Sequence, residues 1–167
     1  MAAAVYLGLG SNLGDRAAAL GQVPELLRIR GFETLSRSST WLTEPVGGPP
    51  QGWFLNQVLG GETALSPEEL LSACLATEKD LVRVCGERFG PRTIDIDILF
   101  YDDLRRDSPG LVLPHPRLHE RLFVLAPLAE IAPRLRHPVL GLTAAEMRAR
   151  CPDRSEVRLL SPQEGRP

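Results

Sequence analysis

Lysine is almost missing from this 167-residue chain: of its 19 basic residues, Lys79 is the single lysine and the rest are arginine. Any mechanism that needs a lysine at a phosphate is thereby excluded, and no G-x-x-x-x-G-K-[ST] loop occurs. Cysteine is scarce as well. Cys74, Cys85 and Cys151 are odd in number and lack metal-ligand spacing, which argues against a disulfide framework and against zinc. Cys74 falls on an apolar helical stripe and reads as a buried, reduced thiol. No apolar run approaches the ~18 residues of a membrane span. The start, MAAAVYLGLG, lacks the basic region of a signal peptide, so a cytoplasmic protein is expected. With a net charge of −2 there is no basic field to attract nucleic acid.

What remains is an ordinary globular composition, 43% hydrophobic and 24% charged, sufficient for one domain over residues 1–160 with a flexible tail at 161–167. Ala4 to Leu9 reads as a short buried strand. Asn12 then caps a helix running to about Arg28. Phe32 to Trp41 reads as a second strand, followed by the Pro/Gly loop TEPVGGPPQG and a third strand from Trp53 to Thr63. Ser66-Pro67-Glu68-Glu69 opens a helix through a capping box with proline at its first position. Leu70, Leu71, Cys74, Leu75, Glu78, Leu81 and Val82 follow at helical spacing, and a fourth strand includes residues 94–100. Strand, helix, strand, strand, helix, strand is the ferredoxin-like order, an α+β class with an antiparallel sheet and helices on one face. Beyond Leu104 comes an appendage: a polar turn, a short LVL run, a Pro- and His-rich segment, a helix near 119–129, and a short helix opened by Thr143 and Glu146.

One stretch carries the chemistry. In RTIDIDILFYDD, residues 92–103, isoleucine alternates with aspartate, so Asp95 and Asp97 share one face and Ile94, Ile96 and Ile98 the other. Two like charges at that spacing need a cation, an arginine or solvent. Arg83, Arg88 and Arg92 cluster just before them among Gly86, Gly90 and Pro91. Adjacent carboxylates suit Mg²⁺ and arginine forks suit phosphate oxygens, which together point to phosphoryl or nucleotidyl transfer. A surface ion-pair network on an edge strand fits the same composition. GLGSNLG, residues 8–14, lacks the G-x-G-x-x-G spacing and reads as a tight strand-to-helix turn. Glu78 reads as an edge residue pairing with a neighbouring arginine. His115 and Arg121 suit polar contacts to a ligand, and His119 the surface.

These motifs in this order, YLGLGSNLGDR, TEPVG before WFLNQV, RFGPRTIDIDILFYDD and LPHPRLHERLFVLAPLAEIAP, resemble the 6-hydroxymethyl-7,8-dihydropterin pyrophosphokinase family over residues 5 to about 133. The resemblance implies a monomeric enzyme that transfers pyrophosphate from ATP to the pterin hydroxymethyl group, releasing AMP. It further implies that Asp95 and Asp97 hold two Mg²⁺ ions and that Arg83 and Arg92 stabilise charge during transfer. Arg88, Ile98, His115 and Arg121 would bind the nucleotide. Phe54 and Phe123 would sandwich the pterin, with Asn56 beside it and backbone groups of Thr43, Glu44 and Val46 reading its edge. The chain departs from the family at Cys85, where an arginine is common, and at Phe89 and Pro116, where larger aromatics occur. Two other classes share such a sheet: a two-metal nucleotidyl transferase or cyclase, and a non-enzymatic binding module.

Overall fold

A computed structural model describes residues 2–12, 16–45, 52–85 and 94–161. In chain order the elements are β1 (Ala3–Asn12), α1 (Arg16–Ile29), β2 (Phe32–Arg37), β3 (Trp41–Thr43), β4 (Phe54–Thr63), α2 (Pro67–Cys85) and β5 (Asp95–Tyr101). They continue with β6 (Arg106–Ser108), β7 (Leu111–Leu113), a 3-10 turn (Leu118–Glu120), α3 (Leu122–Ile131), α4 (Ala144–Arg150) and β8 (Val157–Leu159). The main sheet runs β5-β1-β4-β3-β8, with β2 also on β4, and β6 and β7 form a separate hairpin. Every pairing in the main sheet is antiparallel. The ferredoxin-like α+β core expected from the element order is therefore present.

Period-2 alternation divides the sheet into two faces. Val5, Leu7 and Leu9 of β1, Leu55 and Leu59 of β4, and Ile96 and Ile98 of β5 are buried in one cluster with Leu20, Val23 and Leu27 of α1 and Leu70, Cys74 and Leu81 of α2. Burying each such aliphatic side chain contributes about 1.5–3 kcal/mol, so register is strongly fixed. The opposite face is not left to solvent, as helices on one face alone would leave it. Val58, Leu99 and Phe100 are buried there with Val124, Leu125 and Leu128 of α3 and Ala144 and Met147 of α4. The appendage thus supplies a third layer.

Four details depart from the expected elements. Strand β1 does not stop at Leu9 but runs to Asn12, which pairs with Phe54, so residues 8–12 are strand and not the expected turn and helix cap. The strand anticipated over residues 32–41 is split, because Ser38 takes over the ladder. Its N–H donates to the Val58 carbonyl at 2.9 Å, and its hydroxyl accepts from the Val58 N–H at 2.9 Å. The helix anticipated near 119–129 is broken at Arg121, so His119 and Phe123 lie on different elements. And β5 carries a bulge: Leu7 faces Ile98 while Tyr6 faces Phe100, leaving Leu99 as the extra residue. The capping boxes at Ser66–Glu69 and Thr143–Glu146 both form.

Candidate active site

Ile94, Ile96 and Ile98 are 3%, 4% and 5% exposed, whereas Asp95 and Asp97 between them are exposed. The isoleucines are held in the sheet's core face, so the two carboxylates are fixed on the other face. A further anchor acts between them: the Ile96 N–H donates to a Glu78 carboxylate oxygen at 2.8 Å, tying β5 to α2. Asp102, at the strand's end, has φ 49 and accepts from the Ala4 N–H at 2.8 Å, a turn residue that pins β5 to the start of β1.

Asp95 and Asp97 open onto a cavity of about 320 Å³. Its floor is the β1–β4–β5 surface, where Gly8 and Gly10 face Val58 and Asn56 across the ladder. A side chain at either position would crowd its neighbours. A Cβ on Gly10 would lie 3.1 Å from Asn56 Oδ1, and one on Gly8 would lie 3.3 Å from Leu99 Cδ2. The GLG alternation could have announced this, since glycine inside a strand marks a close approach by a ligand or another chain segment.

One end of the cavity is amide and aromatic. Asn56, 7% exposed, donates from Nδ2 to Thr43 Oγ1 at 2.6 Å, which fixes the amide and directs its carbonyl oxygen towards Gly10. Thr43 and Glu44 line the wall, with Phe54 of β4 and Phe123 of α3 entering from different layers. Asp95 and Asp97 of β5 lie two strands away from Asn56, across β1, and Arg117, Glu120 and Arg121 also line the cavity. The Arg121 guanidinium carbon lies 5.6 Å from the Phe123 ring centroid, a cation–π contact that ties the arginine to the aromatic end. Arg117 pairs with Glu120 at 3.6 Å.

Of the expected residues, Thr43, Glu44, Phe54, Asn56, Asp95, Asp97, Arg121 and Phe123 therefore meet around one cavity. His115 lines an adjoining cleft with His119 and His137 instead. It is placed by the β5 bulge, whose Leu99 carbonyl accepts the His115 N–H at 3.0 Å, while His115 Nδ1 accepts from the Arg117 N–H at 3.2 Å. Burial lowers the His115 pKa; Asp97 pulls it upward, and Arg121 and Arg117 push it further down. The Ile98 side chain turns into the core, away from the cavity. Val46, Arg88 and Arg92 lie outside the described residues, as do the side chains of Arg83 and Cys85. Cys74 is fully buried, and burial, with Glu78 and Asp97 adding to it, pushes its thiol up to about 12. It is an inert core residue, as its place on the helix suggested.

The donor set suits a hard divalent cation only in part. No group of three or more His, Cys, Asp or Glu positioned for a metal exists among the described residues, so a closed protein cage is absent from them. Two exposed carboxylates on a rigid strand, about 7 Å apart along it, match the way Mg²⁺ is held by one or two carboxylates and completed by substrate phosphates. Missed by the sequence reading were Gly8, Gly10, Arg117, Glu120 and Asp153, all lining the cavity. No helix among the described residues is long and apolar enough to cross a membrane.

The chain is similar to proteins of one kind. Two curated relatives are named 2-amino-4-hydroxy-6-hydroxymethyldihydropteridine pyrophosphokinase. That of Methylorubrum extorquens is 50% identical over 131 residues, covering 78% of this chain and 83% of the relative. That of Bacillus subtilis is 46% identical over 127 residues, covering 75% and 76%. The crystal structure of wild-type Plasmodium falciparum HPPK-DHPS superposes with a TM-score of 0.71 at 14% identity, over 90% of this chain but 45% of that longer one, and so speaks for the fold. The family model described as 7,8-dihydro-6-hydroxymethylpterin-pyrophosphokinase (HPPK) matches residues 6–133, which span β1, the carboxylate strand and α3, and it is to this family that the chain belongs.

Proposed function

We propose that the protein transfers the terminal diphosphate of ATP to the hydroxymethyl oxygen of 6-hydroxymethyl-7,8-dihydropterin, giving AMP and the pterin diphosphate for folate synthesis. The observation that carries this reading is one cavity with a flat amide-and-aromatic end and a two-carboxylate end, on a chain of this family. A flat, polar heterocycle is well held by Phe54 and Phe123, since aromatic stacking adds about 0.5–1.5 kcal/mol per contact beyond area burial. Asn56 adds specificity: with one N–H committed to Thr43, its carbonyl oxygen and second N–H can pair with a pterin edge. Backbone groups of Thr43, Glu44 and Val46 would complete that edge.

Asp95 and Asp97 would hold two Mg²⁺ ions, which when bound neutralise triphosphate charge. The chain's own part is to orient. The isoleucine-anchored strand holds the carboxylates rigid, and the pterin stack presents the hydroxymethyl oxygen for in-line attack on the β-phosphorus. The new O–P bond forms as the bond from the β-phosphorus to the α-phosphate oxygen breaks. The hydroxyl proton leaves to solvent and AMP departs. Arg83, Arg88, Arg92 and Arg121 would stabilise the spreading negative charge, with His115 and the backbone at Ile98 contacting the nucleotide. Positioning and charge stabilisation are enough for phosphoryl transfer, so no strong general base is required.

As the sequence and the family resemblance imply, the enzyme would act as a cytoplasmic monomer on two small, diffusible co-substrates. The test is stoichiometric. AMP should form one for one with consumed pterin, and only when protein, MgATP and the pterin are all present. AMP formation that does not depend on the pterin would overturn the reading.

A further inference from the structure

The family match ends at residue 133, yet the cavity has a wall from further along the chain: Asp153. Its surroundings are specific. Helix α3, which carries Phe123 at its second position, begins without a side-chain cap of its own, because Arg121 stands at the capping position. The missing acceptor arrives from a distance. Asp153 Oδ2 accepts the N–H of Leu122, the first residue of α3, at 3.0 Å. The other oxygen is fixed by Ser155, whose N–H donates to Oδ1 at 2.9 Å and whose hydroxyl donates to it at 2.5 Å. A carboxylate there also meets the positive end of the helix dipole. Burial alone would raise the Asp153 pKa, but the hydrogen bonds from Ser155 and Leu122 outweigh it and hold the carboxyl below its usual value.

The same segment grips the opposite wall. The Glu44 N–H donates to the Glu156 carbonyl at 3.0 Å, and the Glu156 N–H donates to Glu44 Oε2 at 2.8 Å. Strand β8 then pairs with β3, placing Val157 opposite Thr43 and Leu159 opposite Trp41. At its start the segment is anchored by Cys151, 4% exposed in the cluster under α3 and α4. Residues 151–160 therefore touch both sides of the aromatic end: the Thr43–Glu44 edge and the first turn of α3 with Phe123.

We infer that residues 151–160 form a positioning strap that sets the width of the pterin end of the cavity, with Asp153 as the positioning residue that fixes Phe123 through the start of α3. The inference rests on the function proposed above. Asp153 need not touch the reacting atoms. It orders the helix turn from which the stacking ring projects, so its removal weakens pterin binding most and MgATP binding less, through Arg121 at the capping position of the same helix.

Pterin affinity of the full chain, read by the fluorescence of 6-hydroxymethyl-7,8-dihydropterin, is measured beside MgATP affinity and kcat. Loss of a helix cap of this kind predicts that Asp153→Ala raises the pterin Kd by about tenfold, while MgATP affinity and kcat, in which Arg121 has a share, fall by about threefold or less. Asp153→Asn keeps an acceptor oxygen and brings the pterin Kd back to within about threefold of the parent. Unchanged pterin affinity in Asp153→Ala, or an equal loss of both ligands, overturns the inference. Amide exchange at Leu122 of the unmodified protein supplies a second reading free of folding defects: pterin should slow it, and an unchanged rate also overturns the strap. If the unmodified protein binds no pterin, the proposed function falls and the inference with it. If it binds and Asp153→Ala binds equally well, the inference falls alone.

Discussion

Replacing Gly10 by alanine should damage pterin recognition while sparing the fold. The backbone at Gly10 lies outside the left-handed region, so alanine brings no conformational strain. It brings a methyl group 3.1 Å from Asn56 Oδ1, close enough that the amide must retreat by a few tenths of an ångström. Retreat is opposed, since Asn56 Nδ2 is already 2.6 Å from Thr43 Oγ1 and both residues are buried. Two costs follow: a strained or broken hydrogen bond of about 1 kcal/mol, and an overpacking cost of about 1–3 kcal/mol, shared between fold and site. If about 1.5–3 kcal/mol of this falls on the bound state, the pterin Kd rises between about tenfold and a hundredfold. Asp95 faces Gly10 from β5, but only Asn56 Oδ1 lies within 4 Å of the added Cβ, so MgATP affinity should move less than about twofold. Equilibrium fluorescence titration measures the first and calorimetry the second. A double-mutant cycle with Asn56→Ala adds a control, because removing the amide should abolish most of the Gly10→Ala penalty. Parental pterin affinity in Gly10→Ala, or strict additivity in the cycle, would refute the floor assigned to Gly10 and Asn56.

Asp97→Asn should lower turnover by about a hundredfold or more, the scale seen when a charge-stabilising group is lost, without lowering thermal stability. Calorimetric Mg²⁺ titration in the presence of a non-hydrolysable ATP analogue should weaken with it, and an unaltered titration would refute its metal role. Gly21 sits within α1, where an added Cβ would meet nothing within 4 Å, so Gly21→Ala should stabilise by about 0.5–1 kcal/mol in urea unfolding with activity unchanged. His137 yields a pH dependence. Burial, then His119 and Arg105, lower its pKa from 6.5, and its Nδ1 accepts the N–H groups of Val139 and Leu140 at 3.1 and 3.0 Å. The unfolded chain therefore binds more protons, so stability is full above about pH 6.5 and declines as pH falls towards the lower folded value. His137→Phe should be less stable at pH 8 yet show a shallower decline from pH 7 to 5; an equal slope would exclude His137 as a source.

How much of this was readable in the residues depended on whether the cause was local. The Ile/Asp alternation of β5 announced its own geometry, because a period of two fixes which side chains share a face. The capping boxes at Ser66 and Thr143 were equally local and both form. By contrast, the break between β2 and β3 depends on Ser38 meeting Val58 across the sheet. The Leu99 bulge is visible only in the register against β1, yet it places His115. Asp153 carries no local signal, since its partner Leu122 lies 31 residues back in the chain. Asp95, Asp97, Asn56, Phe54, Phe123 and Arg121, candidates by residue type and motif, all line one cavity. The glycines and hydrogen bonds that hold them were legible only once their neighbours were known.

The central claim is that the carboxylate strand and the aromatic end of the cavity cooperate in one transfer. Phosphorus spectra of a reaction mixture containing the protein, MgATP and 6-hydroxymethyl-7,8-dihydropterin test it most directly. The signals of ATP should give way to AMP and a pterin-bound diphosphate in equal amounts. ADP or free pyrophosphate as the sole new phosphorus product would contradict the claim.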